Sequence, residues 1–182
     1  YDSQELGLVS RKEELVDKRG DMKSLFPKID FIHKWEPKWL IPRIDRRQMY
    51  LANKDNGSVM SGETTTGDIF RGGRLTALMM DEFAAFKVQD GYKALSATRD
   101  VTRCRIFNST HKGIYNAFYD ITHKVKGVKV IKLLWMESPF KRKGLYTSRD
   151  GVLEILDKEY EFPDDYEFIL DGKVRSPWYD YE

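Results

Sequence analysis

RLTALMMDEFAAF, Arg74–Phe86, carries six mostly apolar residues straight into two adjacent carboxylates, Asp81 and Glu82. An apolar run this short, followed by residues that turn away from it, reads as a buried strand over Leu75–Met80. Burying a carboxylate without a partner costs several kcal/mol. Acids at the end of such a strand are therefore either solvated loop residues or groups set to meet a cation or a water.

Outward from this strand, the pattern alternates strands with helices. Upstream, Glu5–Ser10 reads as a strand. Met22–Trp39 places Leu25, Ile29, Ile32 and Trp35 at helical spacing, with Pro27 early enough to be tolerated. Arg47–Ser61 reads as a β-hairpin around Asp55-Asn56-Gly57, a strong turn signal. Gly62–Gly73, with Thr66, Gly67 and Asp68 inside it, is a glycine-punctuated loop. Downstream, Asp90–Thr98 favours a helix, Arg103–Asn108 a strand, Gly113–Asp120 a helix and Val128–Trp135 another strand. Together these imply an α/β fold with a largely parallel sheet flanked by helices.

Composition agrees with one globular domain plus an appendage. The chain has 182 residues, 41% of them hydrophobic and 33% charged with both signs mixed, which argues against global disorder. Cys104 is the one cysteine; it excludes an internal disulfide and reads as a small buried residue. Neither a membrane-spanning run nor a leader pattern is present, so the chain reads as intracellular and soluble, with no membrane partner. The net charge of +2 is uneven: eleven of 29 acids but three of 31 bases fall in residues 150–182, leaving −8 there and +10 on the rest. A basic body can bind a polyanion, or an acidic tail can fold back and screen it.

In a parallel sheet, ligands lie outside the carboxyl ends of the strands. Two strands here end in polar residues: Met80 leads into Asp81 and Glu82, and Phe107 into Asn108, Ser109 and Thr110. Mg²⁺ takes few protein oxygens and keeps its waters, so a single strand-end aspartate suits it. The neighbouring glutamate can then orient or deprotonate a water. This is the arrangement of a Walker B motif. Arg71, ten residues before Asp81, could reach a transferring phosphate or serve as a surface charge. Ser96-Ala97-Thr98 falls in a helical stretch and is set aside. His33, His111 and His123 lack metal-ligand spacing. Trp35, Trp39 and Tyr50 read as core or hairpin packing.

GETTTGDIFRGGRLTALMMDEFAAF (62–86) and RCRIFNSTHKGIYNAFYD (103–120) resemble the ATPase domain of the large terminase subunit of tailed bacteriophages, the DNA-packaging motor. LVSRKEELVDKRGDMKSLFPKI, GLYTSRDG and RSPWYD also resemble that family, so the likeness spans nearly the whole chain. It implies a RecA-like P-loop NTPase core of the ASCE type that binds ATP and Mg²⁺. It further implies that Asp81 holds the ion and that Glu82 is the catalytic base. Asn108, Ser109 and Thr110 would be the motif coupling hydrolysis to motion, and Arg71 an arginine acting across a subunit boundary. The family often has proline after the Ser-Thr pair, where this chain has His111.

A GxxxxGK[ST] phosphate loop is not among these residues; in the family it lies upstream, and an RNase H-like nuclease lies downstream. The resemblance thus implies a middle piece of a longer protein: residues 1–145 a partial ATPase domain, 146–182 an acidic tail leading toward the nuclease. The partners implied are double-stranded DNA, the portal protein, the small terminase subunit and other copies in a homo-oligomeric ring on the procapsid, in the host cytoplasm during virion assembly. DNA contacts would be to the phosphate backbone, with Arg99, Arg103, Arg105, Lys141, Arg142 and Lys143 as candidates. A superfamily 2 helicase-like ATPase, or a non-catalytic interaction domain derived from a terminase, are the alternatives.

Overall fold

Strand β1 (Glu5–Ser10) lies inside a sheet, with a parallel neighbour on each side. The computed structural model describes residues 3–65 and 69–182, so Thr66, Gly67 and Asp68 of the glycine-punctuated loop lie outside the described residues. The chain divides into two compact units, one ending at Val128 and the other spanning Lys129–Glu182. This division falls before the 145/146 boundary expected from the sequence.

The first unit holds a six-stranded sheet, β2 (Ile44–Arg47), β3 (Tyr50–Asn53), β4 (Ser58–Thr64), β1, β5 (Ala77–Met80) and β6 (Arg105–Phe107), in that spatial order. The pairs β4–β1, β1–β5 and β5–β6 are parallel. Strands β2, β3 and β4 are joined antiparallel. The fold is thus α/β with a mostly parallel central sheet and helices on both faces.

Successive residues of a central strand point to opposite faces, and both faces here are covered. Leu8 joins Val16, Phe26 and Leu51 on one side. Val9 joins Leu78, Met80 and Phe83, with Ala94, Ala117 and Phe118, on the other. The first face is roofed by α1 (Glu13–Val16) and α2 (Leu25–Trp35), the second by α3 (Val88–Ala97) and α4 (Ala117–His123). Gly62 lets the first roof descend: a Cβ there would come within 2.7 Å of Val16 and 2.9 Å of Phe26. Asn116 starts α4, its side chain accepting the Tyr119 amide at 2.9 Å, a local cap for an otherwise orphan donor.

The expected hairpin is β3–β4, closed through Gly57 at φ +71°, where glycine avoids the Cβ clash. Strand β2 adds to it, although IDRR lacks the apolar pattern of a strand. The pair that anchors it is electrostatic. Arg46 donates to Asp17 at 2.7 and 2.9 Å, Met49 N–H donates to the same carboxylate at 2.7 Å, and the guanidinium lies 4.7 Å over the Phe26 ring.

Four expectations are corrected. Residues 128–134 form no strand; Ile131 and Leu133 are exposed, and only a 3₁₀ turn over Trp135–Glu137 follows. Their apolar residues, interrupted by Lys129 and Lys132, make neither an alternating nor a continuous apolar face, and no described strand pairs with them. Trp35 and Trp39 are 72% and 84% exposed rather than packed: α2 turns Leu25, Phe26, Pro27 and Ile29 toward the core, and Trp39 lies past its end. Ile32, at the same helical spacing, is exposed as well. Cys104 is exposed, since it precedes an edge strand rather than lying inside one.

The second unit is folded around Tyr146. Strands β7 (Tyr146–Arg149) and β8 (Val152–Ile155) form a hairpin whose turn, Asp150-Gly151, has positive φ at both positions. Tyr146 is fully buried among Phe162, Tyr166 and Phe168. Asp180 of α5 (Pro177–Tyr181) accepts the Tyr146 and Tyr166 hydroxyls and the Arg175 guanidinium. Burial raises the Asp180 pKa, but these three donors outweigh it and hold the carboxyl below its ordinary value.

Candidate active site

The parallel registers bring four polar residues into one row across the carboxyl edge of the sheet. Ser10 pairs with Thr64. Val9 pairs with Met80, and Met80 with Phe107, so the next residues, Ser10, Asp81 and Asn108, stand side by side. The ladder continues to that point: Asp81 N–H donates to the Val9 carbonyl at 2.8 Å, and Asn108 N–H to the Met80 carbonyl at 2.9 Å. By strand alternation the row faces the same side as Leu8 and Met79.

Asp81 is half-buried and bonded within the row, accepting Asn108 Nδ2 on Oδ1 at 2.6 Å. Glu82 departs from it at once. Its φ of +55° and ψ of 35° are left-handed, a conformation that costs a residue bearing a Cβ roughly 1–2 kcal/mol. The chain then enters a 3₁₀ turn over Phe83–Ala85, clamped to the end of β6 by Phe83 N–H to Asn108 O at 3.1 Å and Ala84 N–H to Ser109 Oγ at 3.0 Å. Phe83, buried against Phe86 and Phe107, locks the turn from below. The glutamate is left exposed, with its backbone held on both sides. Strain kept by surrounding packing is a reason to ask what the residue does.

Of the residues singled out from the sequence, Asp81, Glu82, Asn108 and Ser109 are therefore brought together, and Thr110 follows as an exposed residue whose carbonyl accepts Ser109 Oγ at 2.9 Å. Arg71 lies apart from the row. It lines a cavity of about 710 Å³ with Arg74, Lys93, Ser96 and Asp100, beside the C-terminal half of α3. Arg99 and Arg103 are exposed. Arg105 donates to the Leu95 carbonyl at 3.0 Å and so ties β6 to α3. Lys141, Arg142 and Lys143 belong to the second unit, where the Lys141 ammonium sits 4.0 Å over the Trp178 ring.

Ser10 escaped the sequence reading, and so did a second cavity of about 630 Å³ lined by Arg11, Lys12, Thr65, Lys87, Asp90 and Lys93. Four cations around one hollow favour an anion. Charge alone could not reveal it, because the four come from the loop after β1 and from both ends of the segment Lys87–Lys93.

The donor set for a metal is sparse. Among the described residues, no three histidine, cysteine or acidic side chains converge on one point. A single half-buried carboxylate at a strand end fits an ion that keeps most of its waters and takes phosphate oxygens, as Mg²⁺ does. It does not fit Zn²⁺ or a protein-caged Ca²⁺. Among the described residues, no helix is long and apolar enough to cross a membrane.

No protein-family model matches the chain, and no curated protein matches it closely. Solved structures similar to it include the large terminase from a thermophilic bacteriophage. One crystal form shares 16% identity at a TM-score of 0.48, the match covering 68% of this chain and 32% of that one. The same protein in complex with ADP shares 17% identity at a TM-score of 0.45 (65% and 29% covered). In complex with ATP-gamma-S it shares 15% identity at 0.46 (65% and 28% covered). The chain thus spans about a third of the length of the first of these structures.

Proposed function

We propose that this chain is the part of a DNA-packaging terminase ATPase that holds the nucleotide's metal ion and activates the attacking water. The observation that carries the reading is the Asp81–Asn108 bond across the carboxyl ends of β5 and β6, with Glu82 turned aside by a left-handed backbone. In this reading Asp81 holds Mg²⁺, which when bound neutralises charge on phosphate oxygens. Asn108 fixes the carboxylate's orientation. Glu82, exposed beside it, takes the proton of the attacking water.

Ser109 and Asn108 hold both the acid and the turn that follows it. Movement at the end of β6 would therefore be felt at Asp81 and Glu82 together, a physical basis for coupling hydrolysis to motion. The cationic hollow at Arg11, Lys12, Lys87 and Lys93 supports contact with a phosphate backbone. Arg71 lines a different cavity, and in this reading it acts on the nucleotide of a neighbouring copy in a ring. Double-stranded DNA, the portal protein and the small terminase subunit are the partners this reading entails, met in the host cytoplasm during virion assembly.

The test is a titration of the whole protein with a fluorescent ATP analogue, with and without Mg²⁺. Asp81→Asn is expected to abolish the gain in affinity that Mg²⁺ supplies while leaving metal-free binding as it was. A Mg²⁺ effect undiminished in Asp81→Asn would remove the metal-binding assignment.

A further inference from the structure

Ser10 Oγ is the buried side-chain polar atom without a hydrogen-bond partner among the described residues. The residue is fully buried. A hydroxyl shut away from water and unpaired costs folding stability, and native structures seldom leave one so without a use. Ser10 also has a particular neighbour. It extends β1 by one residue past the Val9–Met80 pair, and Asp81 extends β5 by one residue past the same pair.

Adjacent strands lie about 4.8 Å apart, and paired residues point to the same face. The Ser10 hydroxyl therefore flanks the Asp81 carboxylate on the side opposite Asn108.

We infer that Ser10 is a positioning residue for Asp81: when the carboxylate takes a divalent ion, the serine hydroxyl donates to it from the β1 side while Asn108 holds it from the β6 side. The inference rests on reading Asp81 as the ion's ligand. A second donor on the opposite flank would hold the carboxylate's rotation more tightly than Asn108 does alone. An unpaired hydroxyl before loading and a paired one after it also means that the ion gains affinity from a cost already met in folding.

Mn²⁺ provides the test, because its unpaired electrons broaden the amide signals of nearby residues even when binding is weak. In the ¹⁵N-labelled chain, added Mn²⁺ is expected to broaden the signals of Arg11, Glu82 and Ser109 selectively. Ser10→Ala is expected to need at least about tenfold more Mn²⁺ for the same broadening, the lower end of what one hydrogen bond to a charged group contributes. Its melting temperature should equal or exceed that of the wild type, since the orphan hydroxyl is gone.

If Ser10→Ala titrates like the wild type while Asp81→Asn loses the broadening, the inference falls and the reading of Asp81 stands. If the wild type shows no selective broadening, or Asp81→Asn keeps it, both fall. A Ser10→Ala chain that melts well below the wild type assigns the hydroxyl to folding and overturns the inference on its own.

Discussion

On the proposed reading, Glu82→Gln in the whole protein is expected to bind ATP as the wild type does and to turn it over at least about a hundredfold more slowly. The magnitude follows from the 10²–10⁴-fold that a positioned general base typically contributes. Binding should survive because the amide keeps the size and reach of the acid and Asp81 keeps its charge. The backbone does not depend on the carboxylate either, since the left-handed turn at Glu82 is held by Phe83 and Ala84 N–H donating to Asn108 and Ser109. Single-turnover hydrolysis alongside nucleotide titration separates the two effects. Retained hydrolysis would mean that another group takes the proton.

The largest expected effect on stability lies at the other end of the first unit. Asp17, with only 1% of its side chain exposed, is paired with Arg46 at 2.7 Å. Arg46→Ala leaves that carboxylate buried with the Met49 N–H. Breaking a buried pair in this way costs about 3–5 kcal/mol, here toward the lower figure because Arg46 itself is 24% exposed. Chemical denaturation of the two proteins measures the difference. Arg46→Lys should restore little of it, as a single ammonium cannot reproduce the guanidinium's two bonds to Asp17.

The pH dependence of that difference has a definite sign. Burial pushes the Asp17 pKa up, but the Arg46 guanidinium and the Met49 N–H outweigh it, so the carboxyl lies below its ordinary value. A lowered folded-state pKa adds stability that is complete above the unfolded value, about 3.9, and is lost as the pH falls through the folded value. In Arg46→Ala the burial is no longer offset by the guanidinium, and protonation relieves it. The deficit should therefore be widest near neutral pH, and shrink as the pH falls through the variant's higher Asp17 pKa toward the wild type's lowered one.

Several of these features were legible in the residues themselves. ELGLVS and ALMM are short apolar runs with polar ends, and both became central strands with cores on each face. Asn56-Gly57 marked its hairpin because few other pairs accept the turn's dihedrals. Asp81, Glu82, Asn108 and Ser109 stood out as polar residues just past apolar strands, and parallel pairing set those strand ends side by side.

What stayed hidden depended on distance along the chain. Asp17 and Arg46 are 29 positions apart, and nothing local in IDRR announces a strand held by a buried charge. Ser10 gains its interest only from the register of β1 against β5, which no spacing in the sequence encodes. Residues 128–134 misled because an apolar-rich run reads as a strand only if a neighbour exists to pair with it. Phe31 and Trp35 pack 6.0 Å apart on the exposed side of α2, so helical spacing identified the helix and, in Leu25 and Ile29, part of its inner face, while Ile32 and Trp35 turn outward.

The most direct measurement is a crystal structure of the whole protein with Mg²⁺ and a non-hydrolysable ATP analogue. The ion is expected about 2.1 Å from an Asp81 carboxylate oxygen or joined to it through a single bound water, with Glu82 facing a water in line with the terminal phosphate. An ion and nucleotide bound elsewhere, with Asp81 still engaged only by Asn108, would contradict the account.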